Sequence, residues 1–396
     1  MRALSRFVLA GSVAVAAVSY HYLENPVRHS EWLGAMPRRS LALGGALLCA
    51  GLLVGVLTIN FPRTFGGTGA AAAAPTLPVA SAATSTTLPG GTDGSSPTTV
   101  PVATTPGTTL PVPSLDQLLA AQKTALDQAA NTITRVPKNI TPDPSVAKEA
   151  DRPQVYRDGC VLQDGETALP TCTYGDTAST TVVALFGDSH AAQWMPALHK
   201  VAAANGWRLV IHVKKACPTA EISIVKDPGG ADCGVWRGRV LEQLAALKPD
   251  LIIMSAYRYK MSGADAGRDP DQAWSDGLDS MMTKIRPLAR KVLVLGDSAT
   301  PVNDTPSCVA GHVSNVGNCM NSRATAVKQG RLAVERSIAA KYNALFVPTS
   351  DWMCTDSQCP VVVGNVLMYR DNSHLTATAS AFLAPYIEAT VRYALG

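Results

Sequence analysis

The sequence has little net charge, and charged residues are few overall. Its 34 lysines and arginines nearly balance its 30 aspartates and glutamates, so the formal net charge is +4, and charged residues make up 16% of the 396 residues. A protein that binds nucleic acid usually carries a basic stripe with aromatic side chains between the cations, and no such stripe is present. We therefore expect an ordinary mixed surface and no nucleic-acid partner.

Charge is scarcest near the N-terminus, where two long apolar stretches occur. Residues 3–20 contain a single charge, Arg6, and residues 41–61 contain none. Each stretch is long enough to cross a hydrocarbon core of about 30 Å as a helix. The loop between them is rich in arginine, which places it in the cytoplasm and the bulk of the chain outside. A signal peptide is the alternative for the first stretch, but no convincing cleavage site follows it. We predict two transmembrane helices within residues 1–62.

The next stretch, residues 63–113, is also almost free of charge and consists mainly of Thr, Pro, Ala, Gly and Ser. Such a composition cannot bury enough apolar surface to offset chain entropy, so we predict a disordered linker. Ser114 is a suitable N-cap for a helix with Leu115, Leu118, Leu119 and Leu126 near one face. We predict a helical extension over residues 114–150 and a globular domain over residues 151–396.

The nine cysteines indicate an oxidising compartment. Cys49 lies in an apolar stretch, and an even set of eight remains: Cys160, Cys172, Cys217, Cys233, Cys308, Cys319, Cys354 and Cys359. An even set after a membrane segment favours disulfides, although the sequence does not fix their connectivity, and pairing between neighbours is the simplest solution. Zinc is the alternative, but only the Cys354-x4-Cys359 spacing approaches that of a zinc site. We predict no metal and no cofactor.

Strands and helices alternate through the globular domain. Candidate strands lie at residues 181–186, 208–213, 251–255, 291–296 and 344–348, and candidate helices at 236–247, 274–286, 324–341 and 376–395. This alternation predicts a three-layer α/β/α fold with a parallel sheet and helices on both faces.

The most informative stretch is TVVALFGDSH at residues 181–190. An apolar strand ends at Gly187-Asp188-Ser189, and a helix-like apolar pattern follows, in which we expect Pro196 to introduce a kink. This arrangement places Ser189 at the carboxyl edge of the sheet and at a helix N-terminus. That edge is where open α/β folds bind ligands and where free N–H groups can hold an oxyanion.

A serine nucleophile needs a base, and the base needs an orienting acid. Asp371 and His374 lie near the C-terminus with two positions between them, so one short loop can carry both. We predict that Ser189, His374 and Asp371 form a catalytic triad. His190 adjoins Ser189, but neighbouring side chains on a helix diverge by about 100°, so we assign it a supporting role. Asp188 is predicted to support the turn.

A second Gly-Asp-Ser follows an apolar strand at residues 296–298. After Ser298 the chain continues Ala-Thr-Pro-Val-Asn-Asp-Thr-Pro, which is a poor start for a helix. We therefore predict that Ser298 is a turn residue.

Several blocks of this sequence resemble a known family. They are GDSHAAQWMPAL at residues 187–198, the Cys-Pro of KKACP, Cys-x2-Trp-Arg at residues 233–237, and YRDNSHLT at residues 369–376. They resemble the SGNH (GDSL-like) hydrolase and acyltransferase domain fused C-terminally to acyltransferase-3 membrane proteins, which are O-acetyltransferases of envelope glycans. The resemblance covers roughly residues 136–396. It implies an SGNH-like fold and favours disulfide pairing between neighbouring cysteines.

The N-terminal region also resembles part of an acyltransferase-3 domain. YHYLENPVR at residues 20–28 is similar to the end of its penultimate helix, so residues 1–62 would be a remnant holding its last two spans. The resemblance leaves two interpretations open. Either the sequence begins inside a longer protein, or the chain works with a separate acyltransferase-3 membrane subunit.

The oxyanion hole departs from the family pattern. The superfamily usually provides a Gly after the second strand and an Asn after the third, where this sequence has KKACP and SAYRY. The Ser189 N–H is one expected donor. Ala216, Tyr257 and Arg258 are further candidates.

The resemblance implies a membrane-anchored acyltransferase whose catalytic domain lies outside the cytoplasm of a bacterium. It would transfer an acyl group, expected to be acetyl, through an acyl-Ser189 intermediate to a hydroxyl of an envelope carbohydrate. Its partners would be an acyl donor, an envelope glycan acceptor, the lipid bilayer and the acyltransferase-3 subunit. A stand-alone O-acyl esterase is the main alternative, and a catalytically idle glycan-binding module is the second.

Overall fold

The computed structural model describes residues 66–73, 115–132, 134–225 and 231–396, together with isolated positions between 20 and 52. Phe65–Gly396 form one compact unit, and Met1–Thr64 form another. The predicted spans at residues 3–20 and 41–61 lie outside the described residues, except for a few isolated positions, as do Ser114 and most of the predicted linker. In the part of the chain that is described, no helix has both the length and the hydropathy needed to span a membrane.

A mainly parallel sheet lies at the centre of the larger unit. Its strands are β1 (Val161–Leu162), β2 (Thr173–Gly175), β3 (Val182–Gly187), β4 (Arg208–Lys214), β5 (Leu251–Ser255), β6 (Lys291–Leu295) and β8 (Leu345–Val347). The order is β1-β4-β3-β5-β6-β8, and all neighbours along this path are parallel. β2 pairs with β4 in the antiparallel direction. The strand order reverses beside β3, so the carboxyl end of β3 lies at the position where such sheets bind ligands.

Alternating side chains of each central strand enter two separate cores. In β3, Val183 and Leu185 belong to one core, and Ala184 and Phe186 belong to the other. Every residue of β3 is buried. A strand buried on both faces consists of a continuous apolar run, which is the pattern that identified it in the sequence.

Helices cover both faces of the sheet, as expected for a three-layer fold. They are α1 (Leu115–Thr132), α2 (Ala147–Ala150), α3 (Ser189–Ala192), α4 (Met195–Asn205), α5 (Ala231–Leu247), α6 (Pro270–Ile285), α7 (Thr305–Gly311), α8 (Arg323–Ala326), α9 (Gln329–Lys341), α10 (Ala377–Phe382) and α11 (Ala384–Leu395). α1, α4, α10 and α11 supply one core, and α5 and α6 supply the other. The predicted three-layer α/β fold is therefore confirmed.

Three predicted helices are divided in the structure. The helix expected after Ser189 consists of α3 and α4, the one expected at residues 324–341 consists of α8 and α9, and the one expected at 376–395 consists of α10 and α11. Pro196 does not kink a continuous helix, because it lies in the first turn of α4. A proline fits there since the first N–H groups of a helix have no partner within it.

Short strands outside the central sheet were not predicted. β7 (Asn321–Ser322) pairs with β9 (Gln358–Cys359), and β10 (Val362–Val363) pairs with β11 (Val366–Leu367), both antiparallel. Each has only two residues, which is too short for an alternating pattern to be visible in the sequence.

One part of the predicted linker contacts the globular unit. The Gly69 N–H donates to the Val136 carbonyl at 2.8 Å, and the Thr68 hydroxyl donates to the Val313 carbonyl at 2.8 Å. A Cβ on Gly69 would lie 2.9 Å from that Val136 oxygen, so the missing side chain permits the close approach. Within the predicted linker, residues 66–73 therefore contact the domain through hydrogen bonds to its backbone.

Four disulfides join neighbouring cysteines. They are Cys160–Cys172, Cys217–Cys233, Cys308–Cys319 and Cys354–Cys359. Cys217–Cys233 ties the loop after β4 to helix α5, beside the carboxyl edge of the sheet. Cys49 is the one free cysteine among the described residues.

Candidate active site

The turn after β3 sets the position of Ser189. A Cβ on Gly187 would lie 1.9 Å from the Ser255 carbonyl oxygen of the neighbouring strand, so only glycine fits there. Asp188 then caps the short helix α3, and its carboxylate accepts the His190 N–H at 2.7 Å. A strand, a glycine turn and a capped helix follow one another within a few residues, and they present the serine at the edge of the sheet.

Asp188 also connects two strand ends. It is fully buried, and its second carboxylate oxygen accepts the Tyr257 N–H at 2.9 Å. Burial raises the pKa of Asp188 to about 6, against the opposing effect of these hydrogen bonds. Its carboxylate thus contacts the backbone of the turn and of the adjacent loop, and the Tyr259 hydroxyl is hydrogen-bonded to it as well.

Ser189, His374 and Asp371 form a continuous chain of hydrogen bonds. The Ser189 Oγ lies 2.9 Å from His374 Nε2, and His374 Nδ1 lies 2.8 Å from Asp371 Oδ2. The other carboxylate oxygen of Asp371 accepts the backbone N–H groups of Ser373 and His374, both at 2.8 Å. Because Asp371 holds the loop that carries His374, the acid fixes both the position and the tautomer of the imidazole.

The charges around this chain favour a neutral histidine and an ionised aspartate. Burial lowers the pKa of His374 to about 4, although its hydrogen bond to Asp371 acts in the opposite direction. Burial raises the pKa of Asp371, but the hydrogen bond and charge of His374 outweigh it, and the net value lies well below the usual range. At neutral pH, His374 can therefore accept a proton while Asp371 stays charged.

Arg370 supports the loop from behind. Its side-chain Nη1 lies 3.6 Å from Asp371 Oδ2, and its backbone N–H donates to the His374 carbonyl at 3.0 Å. Its guanidinium lies 5.5 Å from the centre of the Tyr156 ring. A cation beside Asp371 helps to keep that carboxylate ionised. Sequence reasoning missed this role, although Arg370 adjoins Asp371.

Gln193 links the two Gly-Asp-Ser turns. Its side-chain NH₂ donates to the Ser298 Oγ at 3.2 Å, and its carbonyl oxygen accepts the Leu375 N–H at 2.9 Å. Ser298 is buried in a loop with no helix after it until Thr305. Ser298 is thus a structural turn residue, as expected, and it indirectly supports the residue next to His374.

The second Gly-Asp-Ser also supplies a buried partner for His190. Asp297 Oδ1 lies 2.6 Å from His190 Nδ1, and its other oxygen accepts the Arg258 N–H at 3.2 Å. The His190 side chain is 1% exposed and that of Asp297 is 10% exposed. Sequence reasoning did not single out Asp297. Asp297 follows an apolar strand just as Asp188 does, and this similarity could have indicated that Asp297 lies at the same edge of the sheet.

The candidate oxyanion donors lie at the same edge but differ in availability. The backbone N–H groups of Tyr257 and Arg258 already donate to carboxylates. Ala216 follows β4 with φ of 54°, the left-handed region that favours glycine. The Ser189 N–H belongs to the first residue of α3 and has no acceptor within the helix. Ser189 and Ala216 are thus the better backbone candidates.

Tyr259 is a further residue at this edge that the sequence did not indicate. Burial raises the pKa of its hydroxyl well above the ordinary value, and the charge of Asp188 adds to the rise. Its ring packs edge-on against Tyr257 with centroids 5.2 Å apart. The hydroxyl therefore remains protonated, and it is hydrogen-bonded to the Asp188 carboxylate.

One cluster has the composition of a metal site. The ligand atoms of Cys308, His312 and Cys319 lie within 4.8 Å of one another. Cys308 and Cys319 form a disulfide, so neither sulfur is a thiolate that can ligate an ion. The cluster does not fit a zinc site.

The fold and the site together define a class. A three-layer α/β unit presents a serine, a histidine and an aspartate in hydrogen-bonded sequence at the carboxyl edge of its sheet, as SGNH hydrolases do. The family model described as "SGNH domain (fused to AT3 domains)" matches residues 159–389, more than half of the chain. The chain belongs to this family.

Comparison with solved structures finds distant similarities. The periplasmic domain of the lipopolysaccharide acetyltransferase from Salmonella ser. Paratyphi A is 13% identical with a TM-score of 0.46, over 69% of this chain and 97% of that chain. An acetylxylan esterase from Geobacillus stearothermophilus is 15% identical with a TM-score of 0.32, over 56% of this chain and 96% of that chain. A search of curated proteins finds no match.

Proposed function

We propose that this protein is a serine acyltransferase that acts on carbohydrate hydroxyls of the bacterial cell envelope from a membrane anchor. The observation that carries the chemistry is the hydrogen-bonded order Asp371–His374–Ser189, with contacts of 2.8 and 2.9 Å. This is the arrangement that serine acyl transfer requires, with a nucleophile, a base within reach of its proton and an acid that orients the base.

In the first half-reaction, His374 Nε2 accepts the proton of the Ser189 hydroxyl while the oxygen attacks the carbonyl carbon of the acyl donor. A tetrahedral oxyanion forms. When it collapses, the bond from the acyl carbon to the donor oxygen breaks, and the imidazolium returns its proton to that oxygen. The products are an acyl-Ser189 ester and the free donor alcohol. Asp371 remains ionised throughout and stabilises the transient charge on His374.

In the second half-reaction, an acceptor hydroxyl takes the place of the departed alcohol. His374 removes its proton as the acceptor oxygen attacks the acyl carbon, and the Ser189 oxygen leaves and regains a proton from the imidazolium. With a sugar hydroxyl the product is an O-acylated glycan, and with water it is the free acid. The same residues thus serve both a transferase and an esterase, and the acceptor decides between them.

Oxyanion stabilisation is assigned to the backbone N–H groups of Ser189 and Ala216. Removing one such donor from an acyl-transfer enzyme costs about 3–4 kcal/mol of barrier. Tyr259 is assigned a supporting role, because its hydroxyl is hydrogen-bonded to the Asp188 carboxylate.

The family and the disulfides support the choice of location. SGNH domains of this family are fused to AT3 domains. The four disulfides fit an oxidising compartment outside the cytoplasm. The apolar stretches at residues 3–20 and 41–61 are suited to anchoring the domain in a bilayer. We assign acetyl as the acyl group, and an acyltransferase-3 membrane subunit as the partner that delivers it.

The test uses the full-length chain, purified in detergent and incubated with p-nitrophenyl acetate. We expect an acetyl adduct on the intact protein, or steady release of p-nitrophenol, that Ser189→Ala abolishes without unfolding the protein. Ser298→Ala removes the same side chain from the second Gly-Asp-Ser and should leave acetylation in place. Activity that survives in Ser189→Ala would refute the site.

Adding cell-wall oligosaccharides then separates the two enzymatic alternatives. A transferase should yield O-acetylated oligosaccharide, detected by mass spectrometry, in preference to free acetate. An esterase should yield only acetate, with no change when acceptor is added. A folded protein that forms no adduct and shows no turnover would favour the idle glycan-binding module.

A further inference from the structure

The second Gly-Asp-Ser turn places a carboxylate beside the candidate triad. Asp297 follows β6 at the same sheet edge that carries Ser189 after β3. Its Oδ1 lies 2.6 Å from Nδ1 of the buried His190, and its Oδ2 accepts the Arg258 N–H. Because each carboxylate oxygen has a hydrogen-bond partner, the Asp297 side chain is held in one orientation, with Oδ1 facing the His190 imidazole.

The His190 ring lies between two other rings. Its centroid is 4.5 Å from that of Tyr257 and 4.9 Å from that of His374. His190 Nε2 is buried and has no hydrogen-bond partner among the described residues. The pair with Asp297 is therefore the polar contact that holds this ring beside His374.

The surroundings favour a charged His190. Burial alone would lower the pKa of His190, but the charge and hydrogen bond of Asp297 outweigh the burial and raise it. The face of an aromatic ring such as Tyr257 also favours a nearby cation. The other charged and titratable groups that act on the two imidazoles are Asp188, Tyr257, Asp297, Arg370 and Asp371.

We propose that Asp297 and His190 form a second carboxylate–imidazole pair, whose positive charge keeps the adjacent His374 free of a proton and ready to accept one from Ser189. This inference rests on the proposed function, in which His374 is the base. His190 and Asp297 are positioning residues, because they act on the reaction through His374.

Like charges explain the direction of the effect. Protonating His374 would place a second imidazolium within 5 Å of the first, in surroundings with little water. A neighbouring like charge disfavours the charged form of a group, typically by about one pKa unit or more. The charge of His190 lowers the pKa of His374, in keeping with this geometry. The base would stay active at a pH where an ordinary histidine is protonated.

The test is the pH profile of kcat/KM for p-nitrophenyl acetate, measured on the full-length chain. The acid limb of this profile reports the base of the free enzyme. His190→Gln removes the imidazolium, and we expect the midpoint of the acid limb to rise by about one pH unit or more. Asp297→Asn should move it in the same direction by a smaller amount, because His190 then loses its proton more easily. His199→Gln removes an imidazole outside the site and should leave the midpoint unchanged.

The outcomes separate the inference from the proposed function. Turnover that survives in Ser189→Ala would refute the function itself. Turnover that depends on Ser189, with the same acid limb in His190→Gln as in the unmodified protein, would overturn only the inference. A rise of the midpoint in both variants supports it.

A direct titration covers the case in which a variant folds but loses activity. Histidine labelled with ¹⁵N in the imidazole reports the protonation of each ring by NMR, and His374→Gln identifies the signal of interest. We expect the His374 midpoint to rise in His190→Gln, with native circular dichroism as the control for folding. If His190→Gln does not fold, the same titration in Asp297→Asn decides the matter, and an unchanged midpoint there refutes the pair.

Discussion

Replacing Asp371 by Asn tests the role of the acid without altering its shape. In the native site, Oδ1 of Asp371 accepts two backbone N–H groups, those of Ser373 and His374, while Oδ2 faces His374 Nδ1. In Asp371→Asn the amide oxygen must keep the Oδ1 position, because the NH₂ group cannot accept from backbone donors. The NH₂ group is therefore directed at His374 Nδ1.

This orientation reverses the tautomer of the base. A neutral imidazole has one donor nitrogen and one acceptor nitrogen, so an amide donor at Nδ1 places the proton on Nε2. Nε2 faces the Ser189 hydroxyl at 2.9 Å and would then carry a proton where it must accept one. The wrong tautomer lowers turnover in a Ser-His-Asp triad by about 10⁴-fold, which corresponds to about 5 kcal/mol of barrier.

The assay is p-nitrophenol release from p-nitrophenyl acetate at neutral pH. We expect Asp371→Asn to reduce kcat by about four orders of magnitude with a native thermal transition. Asp164→Asn provides the matched control, since this exposed carboxylate pairs only with Lys215 among the described residues, and it should retain full activity. A loss of less than tenfold in Asp371→Asn would show that the acid does not set the tautomer of the base.

Three further predictions concern stability. Replacing both Cys217 and Cys233 by Ser opens a loop closed across 16 residues, and it should lower the free energy of unfolding in urea by about 3 kcal/mol. Gly187→Ala should lower it by about 1–3 kcal/mol and reduce turnover as well, because the new Cβ meets the backbone of β5 at 1.9 Å; unchanged stability would contradict the close approach. His374 has a pKa of about 4 in the folded chain and 6.5 as a free side chain, so only the unfolded chain binds its proton between those values. The contribution of His374 to the free energy of unfolding should therefore fall by about 3 kcal/mol as the pH drops from 6.5 to 4. Urea unfolding of the native chain and of His374→Gln, measured across this pH range, isolates that contribution. The comparison is needed because the raised pKa of Asp188 changes stability in the opposite direction.

The central strands were predictable because their environment is uniform. The run that forms β3 is buried on both faces, so every position favours an apolar or β-branched residue, and the period of the pattern carries little ambiguity. β5 begins and ends at the residues expected from the sequence. Its two faces belong to different cores, yet both cores select the same kinds of side chain.

Helix boundaries were less predictable because local and tertiary effects compete at them. The apolar spacing after Ser189 continues across the break at Gln193 and Trp194, so periodicity alone does not reveal two helices. The break is favoured by Pro196, which fits the first turn of a new helix. Gln193 also uses its side chain to bridge Ser298 and Leu375, a contact between residues far apart in sequence.

The residues of the candidate site also differ in how well the sequence predicts them. Ser189, Asp371 and His374 were identified because their chemistry requires particular residue types at particular positions. The supporting residues, such as Arg370, Asp297 and Tyr259, belong to types that occur everywhere on protein surfaces, and only the fold brings them together. The oxyanion donors are backbone groups, which any residue supplies, so sequence identity says little about them.

The separation of Ser189 and His374 by 185 positions has a consequence for the order in which the protein becomes active. The strand that carries the serine is made early, whereas the loop that carries His374 and Asp371 precedes the two final helices, α10 and α11, which pack against α4. A partly synthesised chain would therefore present the serine without His374. Under the proposed function, acyl transfer would begin only when the last helices have docked, so a chain that loses its C-terminal segment to a protease would form no acyl-Ser189.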